Sequence, residues 1–476
     1  MRRLIYLMSV CIIVLGLAPV AEADSSGTMI ITSNTTLTED HDGDIVIAAN
    51  NVTLDCAGHL VTSDPWVWAA VLINNHDDVT VRNCRATNGL NGIAVVGLSE
   101  RTLVIDNEVF ANANAGIAAD QAVDPQIVSN SVSDNGGNGI QVIAATGALV
   151  SGNVSSGNRG TAGIALFRAH GGVFRDNTSR DNVHAGFHLI ESNGNFFTGD
   201  TSSGNGSSGF TIFDSSRDRF EATESSGNAW NGFEVHRSPE MTWNSNKAIG
   251  NGDSGFILIE GSDDAVLEGN AAAGNAGQGF ALDGVSRTQL KDNVARENAA
   301  DGFSLHGGSG NAFLGNRSTG NGTYGFVLNG DGAVTTDNTV ARNEATNNGF
   351  EGIALVFGAS YNEVVGNISQ RSDFEGISLF FGSDHNIVRA NVTTGNASSG
   401  VLVFQSSSNW VIDNRAMQNN KQGHENQGGI SVVEGSSFNE IRRNVACGNG
   451  NADAYYDGTG SGNVWQGNIF CTTSGI

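Results

Sequence analysis

A glycine followed by a large apolar residue, with a second apolar residue two places on, returns every 23 or 24 residues over most of this chain. Segment 270–282 reads NAAAGNAGQGFAL, and segments 246–258, 293–305 and 316–328 read NKAIGNGDSGFIL, NVARENAADGFSL and NRSTGNGTYGFVL. The glycine lane runs from Gly92 to Gly429, with Asp44, Ala70 and Asp453 in the same place in less regular units at the ends. About eighteen turns result, and a period of this kind identifies the folding unit itself.

Each unit holds short β-type runs punctuated by Gly and Asn, and none shows a 3.6-residue apolar period. Alternation along Gly-Phe-Xaa-Leu puts the first and third residues after the glycine on one face, which must be the interior. The first of these lanes passes from Ile93 through seven consecutive phenylalanines, Phe187 to Phe326, to Ile430. A second apolar lane (Val104, Phe174, Phe197, Phe220, Trp243, Leu267) lies three before the first asparagine of each unit, and small Ala, Ser and Val side chains after that asparagine supply a third wall. Three short strands per turn describe an all-β, single-domain right-handed parallel β-helix, a solenoid about 85 Å long. The asparagine lane, Asn107 to Asn444, marks a bend where amides stack and bond along the rod, interrupted by Asp200 and Thr223.

Residues 1–23 read as a secretory signal: Arg2 and Arg3, an apolar run from Leu4, then Ala21-Glu22-Ala23. Residues 24–62 are expected to cap the solenoid, with Trp66 and Trp68 helping to close that end, and 63–476 to form the helix proper. No later stretch is apolar enough to span a membrane. Lys and Arg number 24 against 49 acids, a net charge of −25; without Arg2, Arg3 and Glu22 the count is 22 against 48, or −26. With three lysines in the whole chain, nucleic acid is excluded as a partner, and the charge keeps such a rod soluble and monomeric. Four cysteines follow the leader in two sequence-distant pairs. Cys56 to Cys84 and Cys447 to Cys471 are expected as disulfides, each stapling a terminal coil, where a solenoid frays. Two insertions, 343–352 and 418–429, are expected to emerge from one edge and wall a binding face.

The lane two after the glycine points outward and is mostly small, a floor on which an extended polymer would lie; His188 and Glu234 are its titratable exceptions. The lane four after the glycine is apolar except at positions such as His236, Asp283 and His306, and one place further come Arg168, Glu191, Asp214, Arg237 and Glu260 in consecutive coils. The plain reading is solvent-exposed ion pairs between neighbouring coils. The chemical reading is a polysaccharide site. Proton abstraction beside a uronate carboxylate needs a cation, a base and a proton donor. Arg168 or Arg237 would supply the first, His188 or His236 the second, and His306 or Glu234 the third. Arg168, Glu191, Asp214, Glu260 and Asp283 would hold the substrate. Glu191 and Asp214, one rung apart, suit instead a retaining glycosidase pair or a calcium site, and calcium is the only cofactor the sequence leaves open.

The opening AANNVTLDCAGHLV and the recurrent Asn-Gly-Ile and Ser-Gly-Phe units resemble the secreted right-handed β-helix proteins of the pectate-lyase-like superfamily, particularly those with NosD-like repeats. That resemblance covers nearly the whole chain after residue 23. It implies the fold, and a range of activities that includes alginate C5-epimerases, polysaccharide lyases, glycoside hydrolases, phage depolymerases and an accessory protein for copper loading of nitrous oxide reductase. The Asp-Pro-His signature of the epimerases is missing, since Asp124-Pro125 continues with Gln126. Arg237-Ser238-Pro239 is similar to the Arg-Xaa-Pro of pectate lyases, but Thr242 replaces that motif's further arginine. Five methionines and scattered histidines give no clustered soft ligands for copper. The expectation is an exported β-helix that engages acidic polysaccharide on its central outward face, with lyase or C5-epimerase chemistry. A non-catalytic extracellular or cell-surface scaffold and a glycoside hydrolase are the alternatives.

Overall fold

The computed structural model describes residues 27–476, and the signal-like segment 1–23 lies outside them. Three parallel sheets run the length of the molecule, the first with 20 strands and the other two with nineteen each. Each turn visits them in order: Phe210–Phe213 in the first sheet, Arg219–Glu221 in the second, Glu224–Ser226 in the third, then Phe233–His236 back in the first. This is the right-handed β-helix, with about nineteen turns rather than eighteen. Met29–Ile31 already pairs with Ile45–Ile47, and that strand with Val71–Ile73, so residues 29–62 run in the same sheets as the rest. Trp66 is 93 % exposed and Trp68 53 %, so they stand out from a turn instead of closing the end.

The interior follows from the phenylalanine lane. Phe187, Phe210, Phe233, Phe256, Phe280, Phe303 and Phe326 are fully buried, and successive rings stack at 4.5–4.9 Å. A second column, Phe174, Phe197 and Phe220, stacks at 4.7 Å and meets the first edge-on, as at Phe210 and Phe220. The ring spacing is that of the coils, so identical side chains fill each layer without a gap. The glycine before each phenylalanine is required by the third sheet. A Cβ at Gly209 would overlap Ser225 Oγ, which donates to the Gly232 carbonyl at 2.9 Å.

Asparagines form ladders at all three bends, not one. Asn107 shows the unit: its amide N–H and its Nδ2–H both reach Asn130 Oδ1, at 3.0 and 2.9 Å, while Asn130 Nδ2 also donates to the Val104 carbonyl at 2.9 Å. One side chain thereby satisfies several buried backbone groups at a bend where no strand pairing is available. The ladder through Asn112 and Asn135 lies between the third and first sheets, and that through Asn311 and Asn338 between the first and second.

Both terminal disulfides are present, Cys56–Cys84 with Cα atoms 4.7 Å apart and Cys447–Cys471 at 5.1 Å. The insertions leave the rod on opposite margins of the first sheet. Asn311 bonds Asn338 27 residues on, where Thr288 bonds Asn311 at 23, so this coil carries 27 − 23 = 4 extra residues. Because His306 pairs with Asn329, they lie at about 330–334, after the first-sheet strand, and not at 343–352. The later coil, in which Asn419 bonds Asn449 30 residues on, places most of its excess at 420–427, before the first-sheet strand.

Candidate functional site

The outer face of the first sheet carries the lanes two and four after the glycine. Its floor is more closed than a row of small residues suggests: Ala94, Ala165, Ala354, Ser378 and Ser431 are completely buried although they point away from the core. The residue before the glycine covers them. Asn231 Nδ2 donates to Glu234 Oε2 at 3.3 Å and the hydroxyls of Ser399 and Ser431 are 3.0 Å apart, so that lane faces outward beside the floor.

In the central coils the register runs Ala165, His188, Thr211, Glu234, and in the next lane Phe167, Ile190, Phe213, His236. His188 lies between the rings of Phe167 and Phe213, with Nδ1 2.5 Å from Thr211 Oγ1. Burial holds its pKa down at about 4, so it is neutral at ordinary pH. Glu234 accepts from Ser208 Oγ at 2.6 Å and lies 3.0 Å from His236 Nε2, while His236 stacks on Phe213 at 4.6 Å. Burial pushes the Glu234 carboxyl up, but the bonds from His236, Ser208 and Asn231 outweigh it and its pKa is lowered.

Arg237 Nε and Nη2 clamp Asp214 Oδ1 and Oδ2 at 2.7 and 2.8 Å on the exposed turn. Asp283 holds His306 Nδ1 at 2.9 Å, and the Asp331 carbonyl of the inserted turn accepts at Nε2, also at 2.9 Å; these bonds raise the His306 pKa, the carbonyl contributing most. Among the described residues Arg168, Glu191 and Glu260 make no ion pair, so of the neighbouring-coil ion pairs expected in this lane Arg237 with Asp214 forms and Arg168 with Glu191 does not. The structure thus unites Glu234 with His236, Arg237 with Asp214, and His306 with Asp283. His188 and Glu234 are two rungs apart, and His306 is three coils beyond His236.

A second constellation, absent from the sequence reading, occupies coils 324–457. The lane before the glycine, small or amide-bearing up to Gln278 and then Asp301, here reads Tyr324, Glu351, Glu375. Glu351 is 7 % exposed and Glu375 3 %. Burial, then repulsion from Glu375, raises the Glu351 carboxyl to about 7, and burial raises Glu375 despite bonds from Ser398 and Gln427. Tyr324, Phe350 and Phe374 follow one another edge to face at 5.4 Å on the margin beside them. On the other margin Phe357 stacks on Phe381 at 5.2 Å and Tyr361 on His385 at 4.8 Å, all four at left-handed turn positions. Loop 420–427 walls a cleft of about 400 Å³ at the end of this stretch, lined by Leu402, Phe404, Gln427, Val433, Glu434 and Tyr455 among others. The signal was in the sequence as a lane that turns acidic beside exposed aromatics.

The sequence matches the family model "Right handed beta helix region" in overlapping stretches, 22–168, 69–218, 126–271, 203–341 and 253–393, and the model "Periplasmic copper-binding protein (NosD)" over 333–473. A search of curated proteins gave no match. Solved structures that resemble it include the Azotobacter vinelandii mannuronan C-5 epimerase AlgE4 A-module (16 % identity, 76 % of this chain and 90 % of that one, TM-score 0.43). The periplasmic alginate epimerase AlgG (11 %, 75 % and 77 %, 0.37) and the Dettilon tailspike protein (14 %, 71 % and 58 %, 0.33) also resemble it. Among the described residues the one group of three His, Cys, Asp or Glu side chains close enough to share an ion is Cys447, Asp453 and Cys471, and both sulfurs are spent in a disulfide. With its successive matches running from 22 to 393 of 476 residues, the chain belongs to the right-handed β-helix family.

Proposed function

We propose that this is an exported β-helix that binds polysaccharide along the outer face of its first sheet, in the coils from Tyr324 to Tyr455. The observation that carries it is the placing of aromatics on left-handed backbone: Phe357 at φ 54°, Tyr361 at 60°, Phe381 at 53° and Phe438 at 58°. The same position is Gly97, Gly284 or Gly307 in three other coils and a non-glycine at similar φ in most of the rest, Gln121, Ala144, Arg168 and Arg237 among them, but only at Phe357 and Phe381 is it a large exposed ring. A bulky residue there costs about 1 kcal/mol or more. These rings are about half exposed, so folding recovers little of that cost. A ligand recovers it, since flat apolar rings on the margins of a groove suit the C–H faces of sugars. Export is supported by the two disulfides and by the leader-like residues 1–23.

Lyase or C5-epimerase chemistry in the central coils has one arrangement in its favour, the His236 imidazole oriented by Glu234. The Arg237 cation it would use is already neutralised by Asp214. The test is affinity electrophoresis of the mature protein in gels containing neutral, acidic and amino-sugar polymers, with Phe357→Ala/Phe381→Ala as control. Retardation by at least one polymer, lost in the double variant, supports the reading. Free migration in every gel would leave the scaffold as the better account. New absorbance from unsaturated uronates would restore the lyase.

A further inference from the structure

Glu351 and Glu375 precede Gly352 and Gly376, whose strands pair Ile353 with Ile377, so the two side chains stand one rung apart on the outer face beside Ala354 and Ser378. Glu375 Oε1 accepts from Ser398 Oγ at 2.7 Å and from Gln427 Nε2, on the inserted loop, at 3.1 Å. Glu351, more than nine-tenths buried, has the carboxyl of Glu375 as its side-chain hydrogen-bond partner. No described Lys or Arg pairs with either acid. Two buried carboxyls with no Lys or Arg partner, His424 acting on Glu375 only through its charge, are costly, and the raised values at both sites express that cost.

We propose, building on the polysaccharide reading, that this pair seats the ammonium of an unacetylated amino sugar. An ammonium carries three N–H donors and one positive charge, which matches two adjacent carboxyls of which one keeps its proton when alone. Tyr324, Phe350 and Phe374, edge to face along the margin next to the two acids, would give the sugar that bears the cation an apolar border. Glu425, Glu434 and Asp457 around the adjoining cleft add charge of the same sign. This arrangement repels a uronate, so the proposal departs from the acidic-polymer expectation for this part of the face.

The experiment is isothermal titration of the mature protein with the hexasaccharides of chitosan, of fully N-acetylated chitin and of galacturonate, repeated with Glu351→Gln. The chitosan oligomer is expected to bind about ten-fold or more tightly than the acetylated one, and Glu351→Gln to abolish that preference while leaving the acetylated oligomer's affinity unchanged. Equal affinity for the two, tighter binding of galacturonate, or a preference that survives Glu351→Gln would overturn the proposal. So would tight binding of calcium alone, lost in Glu351→Gln, with no preference between oligomers. Binding of the acetylated oligomer without a chitosan preference keeps the polysaccharide reading and sinks only this one, whereas silence on all three sinks both.

Discussion

Asp200 stands where the ladder calls for asparagine, and its Oδ1 accepts the Nδ2–H of Asn177 at 2.8 Å. Its other oxygen, like Oδ2 of Asp218 in the ladder between the first and second sheets, is buried without a partner. In an asparagine that atom would be the donor to a backbone carbonyl, as Asn177 Nδ2 is to Val150 at 2.9 Å. A protonated carboxyl imitates the amide and an ionised one does not. Burial accordingly raises both aspartates from 3.8 to about 7.

Below pH 4 both folded and unfolded chains hold these protons and nothing is lost. Between about 4 and 7 the unfolded chain ionises first, so stability falls with rising pH, by up to about 4 kcal/mol per group, and levels off above 7. Asp200→Asn with Asp218→Asn should flatten that slope and raise the midpoint of denaturant unfolding at pH 8. An unchanged pH profile in the double variant would refute the ionisation account.

The phenylalanine stack allows a sharper estimate of what holds the rod. Phe233 is fully buried, stacked on Phe210 and Phe256 at 4.9 and 4.7 Å. Phe233→Ala is expected to cost about 3–5 kcal/mol, because the neighbouring coils are pinned by their ladders and cannot close the cavity. Phe233→Leu should cost less than half as much, by guanidinium titration of both variants. Equal losses would mean that ring stacking itself, and not volume, is the stabilising term.

The period exposed the fold because every turn repeats the same packing problem. Once Phe187 to Phe326 are assigned inward, strand register and core follow. The site was less legible for two physical reasons. Strict alternation sends the residue before the glycine inward together with the phenylalanine after it, yet the glycine breaks the alternation, and Glu351 faces outward beside Ala354. Nor does a period reveal which turn residues have left-handed backbone, so nothing in the sequence singles out Phe357 and Phe381. The central candidates stand out in the sequence as titratable residues in outward lanes, and lane and charge do not show that Arg237 is committed to Asp214.

That commitment is testable. With both guanidinium nitrogens on the Asp214 carboxylate and the pair exposed, Arg237→Ala should alter stability by less than about 1 kcal/mol and leave polysaccharide binding unchanged. A collapse of binding or turnover in this variant would return the functional centre to the central coils.

The Cys447–Cys471 bond ties Val445–Cys447 of one coil to the chain that leaves the strand Ile469–Phe470 of the next. Reduction, or Cys447→Ser with Cys471→Ser, should therefore speed amide exchange in residues 440–476 and leave the coils around Phe233 unchanged, since each coil of a solenoid contacts only its neighbours. Uniform loss of protection along the rod would contradict this.

Phe357 offers the test in which stability and function should move in opposite directions. Its backbone sits at φ 54° with the ring 48 % exposed, and a Gly stands at the same place in other coils. Replacing a strained surface residue by the one residue that suits the conformation removes the strain, so Phe357→Gly should stabilise the rod by about 0.5–1 kcal/mol. The same change removes half of the Phe357–Phe381 pair from the groove margin, and retardation in polysaccharide gels should weaken several-fold. A variant that gains stability and keeps its binding would show that the ring is an accident of drift. One that loses both would show that Phe357 packs the fold, and the argument from strain would fail with it.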